Sequence, residues 1–196
     1  MKPYLLLLLI CGLAFFGCVS TPPATKTMTL QDVLLQPSQV GPNLMLASSP
    51  AEMPREKLSP SMVRGYKVTY LDNGAYTDMI QGKPAADIIG IDSRAVEFNS
   101  TEDALLDNQL VACSQWPSCE QFYPAQLGDQ IIANQYARDI GDGHKMILTT
   151  VIIHKSNYWL WVLTDGNENA DPATLKEETL ALTKVQLENF DKYANN

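Results

Sequence analysis

Chemistry in this chain would have to come from two histidines, a close pair of cysteines, an oxygen-rich loop, or a run of aromatic residues. His144 follows the turn Gly141-Asp142-Gly143, and His154 alternates with Thr150 and Ile152 along an apolar run. Neither stands in a His-Glu-x-x-His or similar ligand spacing, so a structural role is expected of each. Asp139, Asp142 and His144 cluster only as a turn requires. The sequence holds no Gly-x-Ser-x-Gly elbow, no Ser-x-x-Lys and no glycine-rich phosphate loop, and no catalytic residue is expected. Cys113 and Cys119 are too few ligands for zinc and too far apart for a Cys-x-x-Cys dithiol, so a structural disulfide is the simplest reading. Asp165, Asn167, Asn169 and Asp171 place oxygens at alternate positions, as at the start of a calcium-binding loop. However, Ala170 occupies the position that needs glycine, and Lys176 the position of the bidentate glutamate. A solvated loop with Asp171 as a helix cap is expected instead, with no metal and no cofactor. Tyr158, Trp159 and Trp161 are either core or the wall of a surface for a partner or ligand.

These residues hang on a hairpin. Lys145–Lys155 and Tyr158–Thr164 are rich in β-branched and aromatic residues and flank the step Ser156-Asn157. Both alternate sets of each run are largely apolar, so both faces need cover. Upstream, Val63–Leu71 alternates and ends at Asp72-Asn73-Gly74, which reads as a hairpin turn into a second strand, Ala75–Gln81. Ile88–Ile91 and Ala95–Phe98 read as two short strands around Asp92-Ser93. Ser100–Asp103 opens a helix running to Ala112, and Ile131–Ile140 is a further strand. Asp171-Pro172 opens a last helix, Thr174–Tyr193, whose face carries Leu175, Leu182, Phe190 and Tyr193. The fold class is α+β, a curved antiparallel sheet with a mid-chain helix and a C-terminal helix packed on it.

The first residues frame the rest. Lys2 precedes an apolar run from Leu5 to Phe16, then Gly17-Cys18 and a Ser/Thr/Pro stretch, the pattern of a secretory signal. Gly17-Cys18 resembles the bacterial lipobox, with Phe15 and Phe16 departing from its usual Leu and Ala or Ser. The resemblance implies cleavage before Cys18 and acylation of that residue, a durable anchor. Val19 is not the Asp that resembles an inner-membrane retention signal, which points to the outer membrane. Seven of the twelve prolines fall in residues 19–61, so residues 18–61 read as a lipidated cysteine followed by a tether or arm. Residues 1–17 are then the signal and 62–196 a single domain. Within the arm, Thr29–Leu35 has the pattern of a short capped helix and Asn43–Ser48 that of an edge strand.

The formal charge is −8, made more negative by loss of Lys2 with the leader, which excludes nucleic acid as a partner. The order of elements over residues 63–193 loosely resembles that of PsbP-like and DcrB-like envelope proteins. A cone-shaped fold of the nuclear-transport-factor type would give a similar string. Together these features imply a periplasm-facing outer-membrane lipoprotein that acts without catalysis, as a binding or assembly subunit with envelope protein partners. Two other classes stay open: a carrier of a small apolar ligand or lipid, and a hydrolase with a dispersed site.

Overall fold

The computed structural model describes residues 28–83, 85–107, 113 and 118–195. Seven strands form one antiparallel sheet: β1 (Met45–Glu52), β2 (Met62–Leu71), β3 (Ile88–Phe98), β4 (Glu120–Gln121), β5 (Gln130–Gly141), β6 (His144–Lys155) and β7 (Tyr158–Gly166). They lie in the order β1-β2-β3-β7-β6-β5-β4. The central hairpin forms as its sequence dictates. Lys155 pairs with Tyr158 across Ser156-Asn157, and Ser156 adopts the positive φ of 55° that a two-residue turn needs. Among the described residues three α-helices complete the α+β fold: α1 (Asn73–Ile80), α2 (Thr101–Leu106) and α3 (Pro172–Ala194).

One face of the sheet is sealed by α3. Asp171 caps it, accepting from the amides of Ala173 and Thr174, and Pro172 occupies its first turn. Leu175 and Phe190 are buried, as their spacing predicts, but the stripe between them is polar. The hydroxyls of Thr179 and Thr164 meet at 2.7 Å, Gln186 Nε2 donates to the Arg94 carbonyl at 2.8 Å, and Asn189 Nδ2 to Gln39 Oε1 at 3.0 Å. These bonds satisfy groups that burial would otherwise penalise and fix the helix in one register on the sheet.

Three expectations are corrected. Ala75–Gln81 is not a strand: Asp72 accepts from the amide of Ala75 at 2.9 Å and caps α1, so Asp-Asn-Gly starts a helix rather than turning a hairpin. Ile88–Phe98 is one strand, because Asp92-Ser93 stays extended, with Ser93 Oγ accepting from the buried amide of Leu35. The largest correction concerns residues 28–61, the described part of the expected arm. The folded body does not begin near residue 62; Leu30, Val33, Leu34 and Leu35 are each at most 1% exposed and belong to the principal core. Thr29 and Asp32 form a capping box on the 3-10 turn Leu30–Val33, and Tyr70 Oη donates to the Leu35 carbonyl at 2.8 Å. Apolar burial outweighs the prolines because these sit where no ladder bond is needed, Pro50 on edge strand β1 for example. Helix α2 starts at its expected Ser100 cap and ends at Leu106; residues 108–112, expected to continue it, lie outside the described residues.

Candidate binding cleft

Among the described residues, the other face of the sheet is covered only at its ends. At one end α2 and the segment carrying Met53 and Leu58 bury Met62, Val96, Phe98, Ile152 and Trp159. At the other, Ala75 and Met79 of α1 pack with Ile89, Ile140 and Met146. Between them strand register lines the side chains up in rows. Gly90, Asp165, Leu148 and Tyr136 form one row; Asp92, Leu163, Thr150 and Asn134 form the next. Arg94 and Trp161 begin a third. These rows floor a cleft of about 350 Å³, with Arg138 also in its lining. Cys119 is part of one wall. It is disulfide-bonded to Cys113, as expected, with Cα atoms 5.2 Å apart, and Cys113 Sγ lies 3.7 Å from Asn134 Oδ1.

The charges in the cleft divide into a satisfied pair and an unsatisfied one. Arg94 Nη2 donates to Asp92 Oδ2 at 2.7 Å, Thr69 Oγ1 donates to the other Asp92 oxygen, and the guanidinium stacks 4.5 Å over the Trp161 ring. Arg94 Nε and Trp161 Nε1 are buried without a hydrogen-bond partner. Asp165 accepts no hydrogen bond and makes no ion pair among the described residues. Burial, reinforced by the nearby charge of Asp92, pushes its carboxyl up to about 6, against the opposing pull of Arg138 and Arg94. Gly90 makes room for it: a Cβ there would stand 2.8 Å from Asp165 Oδ2. Arg138 is exposed and likewise makes no ion pair among the described residues.

The residues singled out from sequence separate here. Trp159 is wholly buried, its Nε1 donating to the Ala104 carbonyl at 2.8 Å, and so is core. Trp161 lines the cleft. Tyr158 faces α3, 5.1 Å from the Phe190 ring, with its phenol pushed well above the usual range by burial. The oxygen-rich loop is divided among separate tasks. Asp165 points into the cleft, Asn167 binds the carbonyl of Ala86 and the amide of Asn169, and Asp171 caps α3. His144 Nδ1 lies 3.4 Å from Glu168 Oε1. His154 is wholly buried, 5.2 Å from the Trp159 ring, with both ring nitrogens unpartnered; burial lowers it to about 4, partly opposed by Asp129. Cys18 lies outside the described residues.

Sequence reasoning passed over Asp92, Arg94, Asn134, Tyr136 and Arg138. Their signal was spacing alone: Asp92 and Arg94 in one strand, and Asn134, Tyr136 and Arg138 in another, stand at alternate positions, which puts each set on one face. A second cavity, of about 440 Å³, lies between Gly41–Leu44 and α3; it is walled by Ile88, Ile91 and Leu182, with Asp87 and Glu178 at its side. Burial and the charge of Asp87 both raise Glu178.

No protein-family model matches the sequence, and no curated protein matches it. Among solved structures, the extracellular domain of PknH from Mycobacterium tuberculosis matches over 80% of this chain and 93% of its own, at 10% identity and a TM-score of 0.47. A likeness of this degree assigns neither family nor function. Among the described residues no helix is long and apolar enough to cross a membrane.

Proposed function

We propose that the chain is an envelope lipoprotein, anchored through acylated Cys18, that works by binding, with the open-face cleft as its contact surface for a partner or ligand. The observation that carries this reading is Asp165, a carboxyl buried at a cost in stability with no hydrogen bond or ion pair among the described residues, in a cleft that α3 leaves uncovered and that it shares with the exposed Arg138. The lipobox-like Gly17-Cys18 and the Cys113–Cys119 bond both support an oxidising, extracytoplasmic setting. Among the described residues, those lining the cleft include no histidine, serine or free thiol, which favours binding over nucleophilic catalysis. Leu30 to Leu35 pack against the α3-covered face, opposite the face that carries the cleft. The charged lining also favours a polar ligand over an apolar cargo.

The test has two parts. Cys18→Ser is expected to move the protein from the membrane fraction to the soluble one; retention at the membrane would remove the anchor from the account. Copurification from membranes is expected to recover a stoichiometric partner or ligand with the native chain and to lose it with Arg138→Glu; equal recovery would remove the cleft. One observation favours hydrolysis as a second reading. Asp165, protonated more readily than an ordinary carboxyl, shares the cleft with Asp92, an acid-plus-carboxylate arrangement. Turnover abolished by Asp165→Asn would support that reading.

A further inference from the structure

We infer that the cleft takes a small zwitterion, an amino acid or very short peptide, with its ammonium at Asp165 and its carboxylate at Arg138. The inference rests on the cleft being the binding surface and adds the chemistry of what it binds. Arg94 and Asp92 neutralise each other at 2.7 Å, so neither offers a net charge to a ligand. What remains among the described residues is one anion and one cation that make no hydrogen bond or ion pair, each feeling the other only through space. A ligand of single charge would satisfy one of them and leave the other exposed to it, whereas a zwitterion answers both.

Spacing and volume agree. Asp165 is on β7 and Arg138 on β5, two strands apart and two residues along from Tyr136 in the row of Asp165, which is about 12 Å through the sheet before the side chains reach inward. An amine and a carboxylate separated by one or two residues bridge what is left after that reach. A cleft of about 350 Å³ stands at the small end of the ~300–1,000 Å³ range of ligand sites, too small for an acyl chain with its headgroup. Thr150 lies beside the two charges in the cleft lining, and Leu148 and Leu163 form an apolar floor for a small side chain. Gly90 is a positioning residue, since any side chain there displaces the carboxylate that would receive the amine.

The experiment is calorimetric titration of the full mature chain with alanyl-alanine, its N-acetyl form and its C-terminal amide. The free dipeptide is expected to bind, and each cap to weaken binding about tenfold or more. In Asp165→Asn the acetyl cap should cease to matter while the amide cap still does; in Arg138→Gln the reverse should hold. A structural disturbance would weaken all three probes together and would not produce this crossed pattern. Equal binding of the three probes, or no binding of the free dipeptide at millimolar concentration, overturns the inference. If a partner is nonetheless lost with Arg138→Glu in copurification, the cleft survives as a binding surface and only the zwitterion falls. If neither occurs, both fall.

Discussion

Replacing Asp165 by asparagine should make the protein more stable at neutral pH. The side chain keeps its shape and loses its charge, in a site where burial and Asp92 raise the carboxyl from 3.8 to about 6. A carboxyl whose folded pKa exceeds its unfolded value weakens the fold as pH rises. The cost is absent below the unfolded pKa, grows between about pH 4 and 6, and is complete above it. At neutral pH it amounts to ~3 kcal/mol at most. For a domain of this size that corresponds to a gain of about 5–10 °C in melting temperature for Asp165→Asn. The assay is chemical denaturation of native and variant at a series of pH values. The two curves should run together near about pH 4 and separate above about pH 6, the variant being the more stable. A variant that is less stable at neutral pH, or a difference that does not change with pH, would refute the reasoning.

The histidine works in the opposite sense. His154 is held neutral to about 4, so its own contribution to stability should fall by up to ~3 kcal/mol as pH drops from 6.5 to 4; His154→Leu should remove that acid limb in the same denaturation series. Because His154 and Asp165 oppose each other over this interval, each single variant should show a steeper pH dependence than the native protein. Leu34→Ala should cost about 3 kcal/mol by denaturant unfolding, since Leu34 is wholly buried, whereas Met45→Ala, at a 71% exposed position, should change stability by less than about 0.5 kcal/mol. An equal effect at both sites would return residues 28–45 to the status of a tether. Replacing both Cys113 and Cys119 by serine should cost about 2 kcal/mol, the low end of the range for so short a closed loop, measured as a shift of the unfolding midpoint.

Much of the sheet was legible from local pattern. The Tyr158–Gly166 strand, its hairpin and the closing helix follow from alternation, a two-residue turn and an Asp-Pro helix start, all features within a few residues of each other. Two misreadings share a cause. Asp72-Asn73-Gly74 serves a hairpin or a helix cap equally well, and what decides is that Met79 finds Ile89 to pack against. Residues 30–35 looked like part of an arm because proline was weighed over a cluster of four aliphatic residues whose pocket is built by α3, β2 and β3. The cleft was illegible for a different reason. Asp92, Arg94, Asn134 and Arg138 are unremarkable within their own strands and acquire meaning only when register sets them side by side. Asp165 drew notice for the wrong partners, the oxygens that follow it in the chain rather than the strands beside it.

The central claim is that the open face of the sheet, between α1 and α2, is where this protein makes its contact. A photo-crosslinking aromatic amino acid in place of Tyr136, in the cleft, and another at position 188, on the exposed side of α3, should be compared in native membranes. An adduct that forms at 136, is absent at 188 and is lost with Asp165→Asn is the predicted result. Adducts at 188 alone, or equally at both positions, would contradict the account.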